Sequence, residues 1–268
     1  MALESRESWG WDRGTGLADI RGVLLSSPRS IVCAALLAAA FVACAAPADD
    51  GAEDATSAVT SSDAGRDGDG DAGPLPPFHG ASAVLDAATR TSMTGVSYKT
   101  SCPVGLDQLR LLTIDHWGFD GEVHVGRIVV HEDQAAPLLR VFEAIFAARY
   151  PIARMQLVDA YGADDDLSMA ADNTSSFNCR PKTGQSTGFS EHSYGRAIDI
   201  NPIRNPYVTT GGTVSPPAGA RYAKRSLKET GMIQPNDAVV RAFASIGWKW
   251  GGAWSGARDY QHFSLSGH

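Results

Sequence analysis

The chain is short of cysteine, of positive charge and of long apolar stretches, and each shortage narrows what it can be. It has four cysteines, two of which, Cys33 and Cys44, lie in or just after an apolar run near the N-terminus. The remaining two can form at most one disulfide. Net charge is −7. Residues 45–78 hold eight Asp/Glu and one Arg, whereas residues 79–268 hold eighteen groups of each sign. The C-terminal part is therefore neutral, which argues against nucleic acid as a partner. No internal repeat is apparent. The apolar run from Ile31 to Ala43 is about a dozen residues long, too short for a membrane-spanning helix, which needs roughly 20.

That run fits a signal-peptide core. Ala43 before Cys44 resembles a bacterial lipobox, with Phe41 in place of the usual leucine. Residues 1–44 are thus expected to be a signal peptide of lipoprotein type, with Cys44 lipidated. Cleavage near Ala45 or Ala46, releasing a soluble protein, is the alternative. The expected location is the periplasm or cell envelope, with the membrane touched only through the lipid. Residues 45–78, rich in Ala, Asp, Gly, Ser and Pro, cannot bury enough apolar surface to offset ordering entropy and are expected to be a disordered acidic linker. In an exported domain, Cys102 and Cys179 most simply form one disulfide, and a metal role for Cys179 is the alternative.

Residues 79–268 suffice for one sizeable core. Leu109 to Asp115 and Glu122 to His131 read as strands joined by Trp117-Gly118-Phe119-Asp120-Gly121. Residues 133–149 place Leu138, Val141, Phe142, Ile145 and Phe146 on one helical stripe. Met155 to Ala160 suggests another strand, and Pro235-Asn236-Asp237 opens a helix through Ile246, ahead of a Trp248-Lys249-Trp250 strand. The mixture predicts an α+β fold: a single domain with a central, mainly antiparallel sheet. The Pro/Gly-rich stretch Asn201 to Gly219 reads as a long loop suited to contacting a ligand.

Two stretches carry chemistry. In Ser190-Glu191-His192-Ser193-Tyr194-Gly195-Arg196-Ala197-Ile198-Asp199, His192 and Asp199 are too far apart for one helical face, so a turn at Gly195 followed by a strand must join them. Ala197 and Asp199 then share one strand face, with Ile198 and Ile200 on the other. The second stretch, Asp259-Tyr260-Gln261-His262-Phe263, follows Trp248-Lys249-Trp250-Gly251-Gly252-Ala253-Trp254, a run suited to a cleft wall that backbone approaches closely. Two imidazoles and a carboxylate, His192, His262 and Asp199, would hold a zinc ion and leave one position open, the pattern of a catalytic site. Asp259 could serve as a base beside it. His79, His116, His124, His131 and His268 lack such context and are expected to be surface or hydrogen-bonded residues. Asp164, Asp165 and Asp166 read as a solvated loop or helix start.

The order S-x-H-x-x-G-x-A-x-D, W-G-G-x-W, D-x-x-H-F resembles the zinc peptidases that include D-Ala-D-Ala carboxypeptidases, D-Ala-D-Ala dipeptidases and L-alanyl-D-glutamate endopeptidases of phage endolysins. The resemblance covers roughly residues 95–263. It implies a hedgehog-like or D-Ala-D-Ala-peptidase-like fold, with Zn2+ on His192, Asp199 and His262 and with Asp259 as general base. Peptidoglycan stem peptides are the implied substrate, and a monomer is expected. Candidate substrate contacts are Ser190, Trp250 and Trp254. Family members often carry an arginine that supports the substrate carbonyl or carboxylate, in a G-Y-R-S-like segment. The corresponding Asp159 to Asp166 has none. Arg180 is taken for that role, with Arg196 as the alternative. A non-catalytic zinc-containing wall-binding module is the other reading, against which Asp259 stands.

Overall fold

The computed structural model describes residues 74–182, 184–185 and 187–268. The expected signal peptide, the lipidation site at Cys44 and the linker up to residue 73 lie outside them. In chain order the elements are β1 (Gly80–Val84), α1 (Ala87–Met93), β2 (Leu109–Trp117), β3 (Val123–His131), α2 (Glu132–Ala147), β4 (Arg154–Met155), α3 (Asp165–Ala170), β5 (Asn173–Thr174), β6 (Ala197–Asp199), β7 (Tyr207–Val208), β8 (Val214–Ser215), α4 (Ala238–Ala244), β9 (Lys249–Trp250), β10 (Arg258–Asp259) and β11 (His262–Ser264). Among the described residues no helix is long and apolar enough to cross a membrane. The mixture is α+β with mainly antiparallel pairing, as the sequence predicts.

The largest sheet is β1-β2-β3, all antiparallel. Its β2–β3 hairpin closes through Gly121 in the left-handed region, where a residue without Cβ pays no steric penalty. Helix α2 lies on this sheet through the predicted stripe, with Leu138, Val141, Phe142, Ile145 and Phe146 all buried. The first turn carries Glu132 and Asp133, favourable at the positive end of the helix dipole. Phe78, assigned from sequence to the linker, instead packs its ring 5.5 Å from that of Phe146. The ordered body thus takes in the last residue of the acidic stretch.

The candidate site is carried not by this large sheet but by a smaller antiparallel one, ordered β6-β11-β9. Alternation puts Ile198, Phe263 and Trp250 into the core, and Phe263 stacks on Phe243 of α4 with ring centroids 4.1 Å apart. Consequently Asp199 and His262 point the other way. Two predicted elements are shorter than expected. The Met155 to Ala160 strand stops after Met155 and gives way to a 3-10 turn over Val158–Tyr161, and α4 ends before Gly247, which has φ 83°. The Asn201 to Gly219 stretch is not a featureless loop: β7 and β8 form a hairpin that β10 joins, with Asp259 opposite Tyr207. Buried Asn205 anchors its start by accepting from the Ile233 amide and donating to the Gly231 carbonyl.

Candidate metal centre

His192 lies in a 3-10 turn, Glu191–Tyr194, that begins at Ser190 and ends at Gly195. Ser190 Oγ accepts from the His192 amide. Gly195 has φ 63°, and a Cβ there would meet the His131 backbone nitrogen at 2.5 Å. Both counts require glycine. Asp199 follows on β6, directly opposite His262 on β11.

The three side chains converge. Their ligand atoms all lie within 4.8 Å of one another. His192 Nε2 is 3.2 Å from Asp199 Oδ2, His262 Nδ1 is 3.0 Å from Asp199 Oδ1, and the two ring nitrogens are 3.3 Å apart. His192 Nδ1 donates to the Ser176 carbonyl at 2.6 Å, which leaves the Nε2 lone pair aimed at the cluster and fixes the tautomer a metal ligand needs. Two nitrogens and one carboxylate oxygen, with the fourth side facing a cleft, could hold a divalent metal ion and leave a position open.

Electrostatics agree. Burial opposes ionisation of Asp199, yet the charge of His192 and hydrogen bonds from both histidines hold it well below the usual carboxylate range. Burial likewise opposes protonation of His192, but Asp199 outweighs it and raises the pKa.

Asp259 lines the same cleft. Gly251 backs it so closely that a Cβ there would come within 2.7 Å of the Asp259 carbonyl oxygen. Burial, then repulsion from Asp199, pushes the Asp259 carboxyl up to about 6. Among the described residues its Oδ1 is buried with no hydrogen-bond partner. A carboxyl poised near neutrality, beside a site able to hold a metal, can take up and return a proton.

The cleft measures about 740 Å³ and brings together most of the residues singled out from sequence: Ser190, His192, Asp199, Trp254, Asp259 and His262. Arg180 also lines it and pairs with Asp165, which in turn accepts from Asn178 Nδ2. Trp250 does not. It is buried in the core and donates Nε1–H to the Tyr260 carbonyl, so it supports the strand beneath the site instead of lining it. Arg196 points elsewhere, to Asp133 at 2.7 Å. Cys102 and Cys179 form the expected disulfide, with Cα atoms 5.9 Å apart, so Cys179 takes no part in the cluster.

Sequence reasoning missed several wall residues. His268, set aside as bland, lines the cleft and stacks near Trp254. Met169, Ser175, Tyr207 and Gln261 also line it. Only Gln261 carried a signal, because it lies inside the D-x-x-H element. The others arrive through β7, α3 and the strand-like bridge from Ser175 to Asp199, whose placement depends on tertiary pairing.

Residues 183–265 match the family model described as D-alanyl-D-alanine carboxypeptidase. The matched segment contains the whole cluster and Asp259, and it bears out the resemblance read from the motifs. No curated protein and no solved structure matches the chain.

Proposed function

From a segment matched by D-alanyl-D-alanine carboxypeptidases and built around this cluster, we propose that the chain is a zinc-dependent peptidase of peptidoglycan stem peptides. The observation that carries the reading is the pairing of a three-ligand cluster with Asp259, whose buried Oδ1 has no hydrogen-bond partner among the described residues, on one cleft. His192, Asp199 and His262 would hold the zinc. Bound there, zinc supplies Lewis-acid polarisation of the scissile carbonyl and a more acidic water.

The chain's own residues do the rest. Asp259 takes the proton of the attacking water and returns it to the departing amine. Trp254 walls the cleft beside His262, with ring centroids 5.7 Å apart, and limits water access. Arg180, held by Asp165 at the cleft wall, meets a substrate carbonyl or carboxylate. Ser190 orders the His192 turn and borders the bound peptide.

Export to the cell envelope, with Cys44 as the lipid anchor and no other membrane contact, belongs to the same reading. The Cys102–Cys179 disulfide supports it, because such bonds persist in oxidising compartments. The protein is proposed to work as a monomer.

The test is mass spectrometry of purified muropeptides incubated with the zinc-loaded chain and with Asp259→Ala. Loss of a terminal D-Ala, or release of L-Ala from D-Glu, by the wild type alone supports the peptidase and names its bond. Zinc binding with no cleaved fragment sinks the peptidase reading in favour of a wall-binding module.

A further inference from the structure

Gln261 stands between the base and a cluster residue, yet the reaction above gives it no task. It lines the cleft and is only 2% exposed. Its backbone carbonyl accepts from the Ile200 amide at 3.0 Å, and its side-chain Nε2 lies 3.5 Å from Met169 Sδ of α3. A thioether has no proton to give, so the NH2 end of the carboxamide belongs there. That leaves Oε1 buried, with no hydrogen-bond partner among the described residues.

Buried acceptors are rarely left unpaired, because the lost hydration is not recovered. On the wall of a cleft, the missing partner is supplied by what binds there. An amide oxygen only accepts, so the complementary group is a donor, and in a peptide the abundant donor is a backbone N–H. Gln261 adjoins His262 in the chain, lines the same cleft, and its side chain interacts with the Asp259 carboxyl, so a peptide bound at the base runs past its carboxamide.

We propose that Gln261 is a substrate-positioning residue whose Oε1 accepts a hydrogen bond from a backbone N–H next to the scissile bond. The inference rests on the peptidase reading and adds to it a reason why an extended peptide is held in one register.

The test uses the zinc-loaded full chain with acetylated L-Lys-D-Ala-D-Ala and L-Ala-D-Glu-L-Lys peptides. Each is paired with an analogue in which one non-scissile backbone N–H is replaced by an ester oxygen. The expected result is that the ester lowers kcat/KM about tenfold in the wild type, that Gln261→Met lowers it comparably on the parent peptide, and that the two losses do not multiply. Gln261→Glu, which keeps an acceptor at similar reach, retains the sensitivity to the ester. Zinc content and Tm are measured for each variant, so a misfolded protein is recognised as such.

Losses that multiply, or a Gln261→Met protein with unchanged kcat/KM, overturn the proposal while leaving the peptidase standing. Calorimetry separates the remaining cases. Peptides bound with the same non-additive pattern but never cleaved would sink the peptidase and keep the positioning role. Peptides neither bound nor cleaved sink both.

Discussion

His262 and Asp199 face each other across the antiparallel pair β6–β11, with Nδ1 3.0 Å from Oδ1. Residues opposed in this way project from the same face of a sheet. A pairing slip of one residue would send His262 into the core and bring Phe263 out, so the register of three-residue strands decides whether the cluster exists.

Removal of either partner should therefore weaken metal binding severely. His262→Ala and Asp199→Ala are expected to lower zinc affinity by more than the roughly 10–100-fold typical of changes to residues that only hydrogen-bond the ligands, with activity lost in parallel. Competition against a chromophoric chelator reads the affinity. Retention of tight zinc by either variant would remove that residue from the ligand set.

Asp259→Ala should behave differently. Zinc content stays at the wild-type level while kcat falls about 10²–10⁴-fold, the usual contribution of a general acid–base group. Metal analysis alongside turnover of muropeptides distinguishes a missing base from a missing ion.

Gly195→Ala places a methyl group 2.5 Å from the His131 backbone nitrogen in a residue with φ 63°. Strain in that region costs about 1–3 kcal/mol for a non-glycine residue, and the clash adds to it. Because the same turn carries His192, lowered zinc affinity should accompany the lower urea midpoint. A variant that is destabilised but binds zinc normally would show the turn to be structural only.

The disulfide spans a sequence separation of 77 residues. Loss of a native disulfide commonly costs about 2–5 kcal/mol, and Cys102→Ser with Cys179→Ser should show it in urea denaturation. The effect should reach the site, since the Asn178 amide donates to the His192 carbonyl and Ser193 Oγ donates to the Arg180 carbonyl in the segment flanking Cys179. A double variant with unchanged stability would contradict this.

Asp133 supplies a pH dependence remote from the cleft. Burial works against its ionisation, but hydrogen bonds from Gln134, Arg196 and His131 hold its pKa below the ordinary 3.8. A depressed carboxyl stabilises the fold above its unfolded pKa and loses that contribution as pH falls through the folded one. Both partners are partly exposed, so the contribution is at most about 1 kcal/mol. Urea midpoints of wild type and Asp133→Asn should differ at pH 7 and converge below pH 3. Arg196→Ala, whose side chain does not line the cleft, should keep wild-type kcat/KM.

The cluster was legible in the sequence because its ligands sit in short local patterns: a turn that only Gly195 completes, a strand with alternating Ala197-Ile198-Asp199, and a D-x-x-H element. The helix stripe from Leu138 to Phe146 was legible for the same reason, since its period is local. Trp250 was misplaced because an aromatic in a glycine-rich run looks the same whether it faces a cleft or a core. Strand parity decides that, and parity needs the pairing of Phe263 with Trp250. The β7–β8 hairpin was hidden because two-residue strands have no readable alternation, and its partner β10 lies some fifty positions on.

Strand β11 is the middle of its sheet, bonded to β6 on one side and β9 on the other. An ion held by His192, Asp199 and His262 would tie the three-residue β6–β11 ladder together and fasten the turn before β6 to both strands. Amide protons of Ile198 and Phe263 should then exchange with solvent more slowly when zinc is present, while those of Leu112 and Ile114 in the large sheet hardly change. Ligand binding to the native state alone adds to its stability. Metal supply would thus govern not only turnover but how long each molecule survives the proteases around it.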